Sequence, residues 1–281
     1  MNNTFMVTPM NQMISLKPGE TYTGFIKVAN SGESSDDFAY KVSVAPYSVL
    51  GEEYDADLAT MSNHSMIVDW ISLDKNSGIL NPNETSEVYF TITVPSDAPA
   101  GGQYASLLVT DDTSSLAGRG SMVNSVFEIA SLIYADVAGE TVREGEVLEN
   151  NIPGWVTSAP IMVNGLLSNN GNVHEIAITT IEARNIITGE KILPTEQNMG
   201  RYTEVVMPET TRRTNYNITN LPLIGIVEVK QSIYYNGASS VEIKNVIICP
   251  IWFIILAVIL ICSIIGATVM LIRKRRKTKN N

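Results

Sequence analysis

The sequence is poor in cysteine: it has two, Cys249 and Cys262, and both lie inside one long apolar run near the end of the chain. The residues before that run therefore lack a thiol, which excludes disulfides, a thiolate nucleophile and a zinc–thiolate site there. Exported animal proteins usually rely on disulfides, so the absence favours a bacterial surface protein, particularly one from a cell with a single membrane and a wall.

Negative charge is missing from the end of the chain. All 29 Asp and Glu precede residue 246 and six of the 19 Lys and Arg follow Ile272, so the net charge is −16 before the apolar run and +6 after it. An acidic head is a poor partner for nucleic acid, because binding phosphates requires Lys and Arg. We expect no nucleic-acid partner and a soluble, self-repelling surface.

The apolar run extends from Val246 to Ile272, 27 residues without a charge. A helix of that length reaches roughly 40 Å and exceeds the hydrocarbon thickness of about 30 Å. The run predicts a transmembrane helix over 246–272, with residues 1–245 outside and a basic cytoplasmic tail over 273–281, by the positive-inside rule. Cys262 and Gly266 have the small-xxx-small spacing that lets a second helix, and hence a homodimer, pack against this one.

An export signal is expected ahead of an outer domain of this size. The segment from Met1 to Pro9 has neither a basic start nor an apolar core. We therefore expect that the signal peptide is missing from this chain. The alternative, a cytoplasmic head on a tail anchor, is disfavoured by the basic tail.

Alternating apolar and polar residues recur through the first half of the chain. Such runs, bounded by Gly, Pro and Asn, are strand signals, and several at close spacing predict an immunoglobulin-like (Ig-like) sandwich. Helical periodicity is absent outside the apolar run. The clearest runs are 22–29, 38–45, 88–94 and 104–110.

The same pattern occurs twice along the chain. Pro82-Asn-Glu-Thr85 precedes Ile92 as Pro208-Glu-Thr-Thr211 precedes Ile218, with ten residues from the first proline to the isoleucine in both cases. Lys27-Val-Ala-Asn-Ser-Gly32 likewise resembles Leu167-Ser-Asn-Asn-Gly171. The repeat predicts an all-β chain with two tandem Ig-like β-sandwich domains, 1–137 and 138–245, followed by a single C-terminal transmembrane helix.

Motifs of catalysis are absent from the head. It has no Gly-x-Ser-x-Gly elbow, Walker loop or dinucleotide fingerprint. Its two histidines, His64 and His174, are 110 residues apart, and each is predicted to be a solvated surface residue. We therefore predict no catalytic, cofactor-binding or metal-binding residue and no cofactor. The acidic loop 52–57 lacks the Asp-x-Asp-x-Asp-Gly pattern, so calcium binding there stays open beside the reading of a solvated loop.

Two tryptophans of the head are candidate platforms for sugar rings. Trp70, in Ile67-Val-Asp-Trp-Ile71, is predicted to pack in a core, whereas Trp155 is predicted to be exposed on a turn at the domain junction. Leu193-Pro-Thr-Glu-Gln197 is similar to a sortase signal, but it ends in Gln and lies far from the helix. Covalent attachment to the wall is therefore not expected.

Five short motifs of the first half of the chain are typical of one family. They are Pro9-Met-Asn-Gln12, Leu16-Lys-Pro-Gly-Glu20, Val28-Ala-Asn30, Ile79-Leu-Asn-Pro-Asn-Glu-Thr85 and Phe90-Thr-Ile-Thr-Val-Pro95 with the glycine-rich return up to Tyr104. These motifs resemble the WxL-interacting protein family of Gram-positive bacteria, and the order of an outer Ig-like domain, a second β domain, one helix and a basic tail is also similar. The resemblance implies a first domain that binds peptidoglycan, a second that contacts host matrix proteins, and WxL surface proteins as partners.

Taken together, these features predict a non-enzymatic, membrane-anchored cell-surface protein whose Ig-like head binds cell-wall or surface-protein partners. Two other classes stay open. A membrane-tethered hydrolase would have a polar cleft with two carboxylates of raised pKa. A ligand-free scaffold would have smooth sandwiches without pockets and would associate through its helix.

Overall fold

The computed structural model describes residues 5–31, 36–112, 127–192 and 200–279, with side chains as far as Ile272. Within these residues the chain is β-structure apart from a 3-10 helix at Met66–Trp70 and one α-helix, α1, at Ile251–Lys279. It divides into two compact units. Unit 1 comprises Met1–Glu146, Leu167–Ile176 and Val205–Arg212, and unit 2 comprises Val147–Leu166, Ala177–Glu204 and Arg213–Asn281.

The first sandwich lies in unit 1 and packs two sheets face to face. The sheets have the strand orders β1-β3-β9-β7 and β2-β11-β10-β4-β8, and β5 and β6 form a separate hairpin. Pairing is antiparallel except between β2 and β11, which run parallel. The strands are β1 Phe5–Thr8, β2 Asn11–Leu16, β3 Thr21–Asn30, β4 Phe38–Pro46, β5 Ser48–Leu50, β6 Asp55–Asp57, β7 Ile71–Leu73, β8 Ser77–Leu80, β9 Thr85–Thr93, β10 Gly101–Asp111 and β11 Glu128–Val137.

The core of unit 1 follows from the alternation of its strands. Successive side chains of a strand point to opposite faces, so Ile26 and Val28 of β3 are buried while Phe25 and Lys27 face out. Strand β9 repeats this with Val88, Phe90 and Ile92 inside. Three of the four alternating runs identified in the sequence lie within strands, and the fourth, 88–94, overlaps β9 up to Thr93. The predicted sandwich is confirmed.

The second sandwich is built from strands β12 to β20. One sheet has the order β12-β14-β18, and the other has the order β13-β20-β19-β15-β16 with β17 paired to β15. The strands are β12 Gly145–Asn151, β13 Trp155–Val156, β14 Ile161–Asn169, β15 Glu175–Asn185, β16 Lys191–Ile192, β17 Arg201–Val206, β18 Thr210–Ile218, β19 Gly225–Tyr235 and β20 Ala238–Ile248. The predicted all-β class, with two β-sandwich domains and a C-terminal helix, is therefore confirmed, whereas the exact bounds 1–137 and 138–245 stay a prediction.

The two proline motifs of the repeat form the same turn. Asn83 follows Pro82 with φ of 65°, and Glu209 follows Pro208 with φ of 59°. Proline followed by a residue of positive φ is the arrangement of a type II turn. Each turn leads into a long strand, β9 or β18, so the repeat found in the sequence is also a repeat of structure.

Helix α1 begins at Ile251, and the prediction that it starts at Val246 is wrong. Val246 and Ile248 are buried in the core of unit 2 as the last residues of β20. An uncharged apolar run carries no signal that separates a buried strand end from a membrane helix. The prediction therefore assigned the end of β20 to the helix. The segment Ile251–Ile272 has 22 residues, a mean hydropathy of 2.9 and no buried part. As a helix it reaches about 33 Å, close to the hydrocarbon thickness.

Candidate binding surface

The solvent-facing side of the sheet β1-β3-β9-β7 carries a compact group of aromatic, charged and hydroxyl side chains. Strands β3 and β9 are antiparallel, and their register sets outward residues directly opposite one another. Such cross-strand neighbours lie within contact distance on one face. We call this group the aromatic face; its residues are the opposed pairs Thr23 and Thr91, Phe25 and Tyr89, and Lys27 and Glu87.

The centre of the aromatic face is a pair of rings. The centroids of Phe25 and Tyr89 are 5.7 Å apart with an interplanar angle of 49°. Their side chains are 40% and 42% exposed, although large aromatic residues usually bury most of their area. Two half-exposed rings in contact form an apolar platform open to solvent.

Charged groups border the rings on one side. Lys27 Nζ lies 3.3 Å from Glu87 Oε1 and 5.7 Å from the centroid of Phe25. The Tyr89 hydroxyl donates a hydrogen bond to Glu87 Oε2 at 2.6 Å. This hydrogen bond, together with Lys27, lowers the pKa of the Glu87 carboxyl, and it raises the pKa of Tyr89. Glu87 is therefore ionised at neutral pH and fixes the position of the Tyr89 ring.

Hydroxyl groups border the rings on the other side. The Oγ1 atoms of Thr23 and Thr91 are 3.5 Å apart, and Ser72 Oγ donates to the Thr91 carbonyl at 3.4 Å. The aromatic face thus offers ring faces, donors, acceptors and both signs of charge on a flat sheet. Such a surface suits the binding of an extended polar chain and contains no nucleophile–base pair.

Both strands are predicted by the alternation in the sequence, but the aromatic face is not. The available signal was a large aromatic residue at an outward position of an alternating strand, as with Phe25 between Gly24 and Ile26. A surface position is normally polar in such a strand, so an outward ring is unusual.

The two histidines of the head both lie beside Tyr104. The ring centroid of Tyr104 is 6.2 Å from that of His64 and 5.7 Å from that of His174. The prediction that both are solvated is wrong: His174 is 8% exposed and His64 is partly buried, with Nδ1 2.9 Å from the Gly102 carbonyl oxygen. The reason is that Tyr104 Oη accepts the His174 backbone N–H at 2.8 Å and so holds its loop against β10 within unit 1.

His174 belongs to a small charged cluster in unit 1. Its Nδ1 lies 3.4 Å from Asp136 Oδ1, and Arg143 reaches Asp136 at 3.4 Å and Glu175 at 2.7 Å. Burial lowers the pKa of His174, and the Asp136 carboxylate partly offsets this effect. The Tyr104 hydroxyl, 3.3 Å from Nδ1, and Asp136 thus occupy the Nδ1 side of a buried imidazole.

The acidic loop 52–57 comprises most of the turn between β5 and β6 and the strand β6 itself. Its Tyr54 hydroxyl bonds with Thr210 Oγ1 and accepts the Met207 N–H at 2.9 Å, while Arg212 stacks 4.5 Å from its ring centroid. In the part of the chain that the structure describes, no three metal-ligating side chains come together.

The remaining candidates are dispersed. Trp70 packs against the core of unit 1, as predicted. Trp155 is exposed, as predicted, but it lies in the short strand β13. The sortase-like segment 193–197 lies outside the described residues.

Comparisons with known proteins leave the family open. No family model matches the chain, and neither does any curated protein. The Salmonella enterica SafA pilin in complex with the SafB chaperone is similar with a TM-score of 0.41 and 10% identity, over 88% of this chain and 98% of that chain. The E. coli chaperone DraB has a TM-score of 0.39 and 9% identity, over 86% of this chain and 96% of that chain. Similarity at this level assigns neither a function nor a partner.

Proposed function

We propose that the chain is a non-enzymatic, single-span surface protein that binds the glycan of peptidoglycan through the aromatic face. The observation that carries the proposal is the exposed contact between Phe25 and Tyr89. The motif resemblance to WxL-interacting proteins is the reason for choosing peptidoglycan as the ligand. The aromatic face has side chains that suit the binding of its sugar rings.

Sugar rings have one face of C–H groups and a rim of hydroxyl groups. The C–H face stacks on an aromatic ring, and the rim needs hydrogen-bond donors and acceptors beside that ring. Thr23 and Thr91 provide hydroxyls on one side of the rings, and Lys27 and Glu87 provide a cation and a carboxylate on the other. A peptide stem of peptidoglycan that carries both signs of charge can pair with Lys27 and Glu87.

Membrane attachment places this surface next to a cell wall. Helix α1 is exposed over Ile251–Ile272 and is long enough to span a bilayer. Basic residues follow it, so the proposed orientation has the tail in the cytoplasm and the two sandwiches outside.

The test uses the full chain in nanodiscs, sedimented with insoluble peptidoglycan. Replacing both rings, F25A with Y89A, is expected to weaken retention by about tenfold or more, because loss of about 1.4 kcal/mol is tenfold and buried aromatic anchors often contribute that much. The matched control is Y234A, which removes an exposed tyrosine from β19 in unit 2. Retention unchanged in F25A/Y89A would contradict the assignment of the aromatic face.

The same preparation tests the second partner that the resemblance implies. An immobilised WxL surface protein is offered in place of peptidoglycan. Capture of the wild type by the WxL protein and not by peptidoglycan would keep a binding function and change its ligand. Capture by neither would overturn the proposal.

A further inference from the structure

Exposed apolar side chains cluster at one end of unit 2, where helix α1 begins. Single exposed apolar residues are ordinary, but a contiguous patch marks an interaction site. Ile187 and Leu223 are 75% and 70% exposed, more than most large apolar side chains of the head. We call the patch the apolar base; its residues are Trp155, Ile186, Ile187, Leu223, Ile224 and Ile247.

Strand register brings these residues to the same end. Gly225, directly after Ile224, pairs with Ile248, the last residue of β20. Trp155 pairs with Ile247 in the parallel contact of β13 with β20. The Ile186 N–H donates to the Ile226 carbonyl at 3.0 Å, which fixes the loop after β15 at this end as well.

Charge is nearly absent from the apolar base. The stretches 150–173, 214–227 and 245–272 contain no Asp, Glu, Lys or Arg, although the chain before residue 246 carries a net −16. The loop after β15 has Arg184, Glu190 and Lys191 on either side of Ile186 and Ile187 in the sequence. Lys244 lies beside the loop that carries Trp155, where its Nζ donates to the Ile152 carbonyl at 2.8 Å. An acidic protein thus has an apolar end with few charges where helix α1 begins.

Only two residues, Cys249 and Pro250, join the sandwich to the helix. The Cys249 N–H donates to the Val156 carbonyl at 3.0 Å, so sheet hydrogen bonding continues to Cys249. The Pro250 carbonyl accepts the Phe253 N–H at 3.0 Å, so the first helical bond starts at the next residue. No flexible linker separates the two elements.

This short connection limits the distance between the apolar base and the bilayer surface. With Ile251 at the edge of the hydrocarbon, the headgroup layer extends a further roughly 5–7 Å. Ile247 lies three residues before Pro250, at most about 10 Å along an extended strand. The end of β20 and the loops beside it therefore lie in the headgroup layer or directly above it.

A cleft of about 370 Å³ opens between the start of α1 and the loops of unit 2. Trp252 and Ile251 line it from the helix, and Leu221 and Leu223 line it from the loop before β19. Tryptophan is enriched at membrane interfaces, and Trp252 is the second residue of α1.

We propose that the apolar base docks on the bilayer leaflet from which α1 emerges, so that the membrane holds unit 2 in a fixed orientation. The inference rests on the proposed membrane anchorage. The bilayer is the occupant, rather than a second copy or another protein, because the patch is neutral, apolar and joined to the helix without a spacer. Partial burial of Trp155, Leu223 and Ile187 among the headgroups removes their apolar area from water.

The experiment places the full chain in nanodiscs of phosphatidylcholine brominated in the upper part of its acyl chains. Three variants each keep one tryptophan: Trp155 in W70F/W252F, Trp252 in W70F/W155F, and Trp70 in W155F/W252F. Fluorescence of Trp155 is expected to be quenched roughly twofold more than that of Trp70, and Trp252 reports insertion of the helix. Quenching of Trp252 without Trp155 overturns the docking and leaves the anchor standing. Absence of quenching at Trp252 overturns both.

A second set of variants tests the loops. I187D with L223D is expected to reduce quenching of Trp155 by about half or more, because a charge resists entry into the interface. The matched control is V241D, an exposed residue of β20 that lies seven residues before Ile248, about 23 Å along the strand. If I187D/L223D instead lowers the oligomer mass in detergent while Trp155 is unquenched by lipid, the base binds a second copy and the proposal is wrong.

Discussion

Asn30 and Asn169 perform the same task at the ends of two different strands. Asn30 closes β3, and its Nδ2 donates to the Leu80 carbonyl at 3.2 Å and the Asp36 carbonyl at 3.0 Å. Asn169 closes β14, and its Nδ2 donates to the Val206 carbonyl at 2.9 Å and the Val173 carbonyl at 2.8 Å. Leu80 and Val206 each lie two residues before the proline of a type II turn, so each buried amide braces one copy of the repeated turn.

We expect Asn169→Ala to lower the free energy of unfolding by about 2–4 kcal/mol, because it leaves buried carbonyls without a donor. Asn169 Oδ1 also accepts the Gly171 N–H at 2.9 Å, so the loss should exceed that of Asn30→Ala. Urea denaturation of the full chain in detergent measures both. Asn170→Ala, at the exposed neighbouring asparagine, is the control and should change little. An equal loss in Asn170→Ala would contradict the pairing of Asn30 with Asn169.

The end of β20 predicts where a soluble head can be cut. A chain ending at Asn245 lacks Val246 and Ile248, whose buried side chains each contribute roughly 1.5–3 kcal/mol. We expect it to be about 3–6 kcal/mol less stable than a chain ending at Cys249, which retains both. Urea midpoints of the two fragments, the longer one with Cys249→Ser, measure the difference. Equal midpoints would show that β20 does not need its last residues.

Tyr104 and Tyr134 form a matched pair for testing a buried hydroxyl. Tyr104→Phe removes the acceptor of the His174 N–H and is expected to cost about 1–3 kcal/mol. The Tyr134 hydroxyl reaches Tyr47 only at 3.5 Å, so Tyr134→Phe should cost less than about 1 kcal/mol. Thermal unfolding of the full chain in detergent compares the two variants. The reverse order would show that Tyr104 holds the His174 loop by packing alone.

Acid is expected to destabilise unit 1 through His174. Burial lowers the pKa of His174 below its ordinary 6.5, against the opposite effects of Asp136 and Glu175 and with a further lowering by Arg143. Below pH 6.5 the unfolded chain therefore binds a proton that the folded chain resists, and stability falls until the folded pKa is reached. Unfolding measured between about pH 7.5 and about pH 5.5 should show a smaller decline in His174→Gln than in the wild type. His64→Gln is the control, and identical slopes in the wild type and His174→Gln would contradict the prediction.

Alternation was sufficient to find strands with one buried face. The run at Tyr22–Ala29 lies within β3, and the run at Val88–Val94 overlaps β9. Strand β11 was not found, because Glu128–Val137 is largely buried on both sides and has no alternating polarity. Its parallel pairing with β2 was equally hidden, since pairing is a property of the fold and not of a local pattern.

The aromatic face could not be predicted from the sequence, for a different reason. Phe25 and Tyr89 are 64 positions apart in the chain, and only the register of β3 against β9 makes them neighbours. A local pattern gives the face on which a residue lies but not its partner across the sheet. The approach of His64 and His174 to Tyr104 depends on long-range packing in the same way.

The short connection at Cys249 and Pro250 also determines how a pulling force on the helix reaches the sandwich. Tension on α1 passes directly into β20, because hydrogen bonding continues to Cys249 and no slack chain can extend first. Strand β20 pairs with β19 over eleven residues from Ala238 to Ile248, and its last residues also pair with β13 on the other side. A pull along the strand loads these bonds together in shear instead of opening them one at a time.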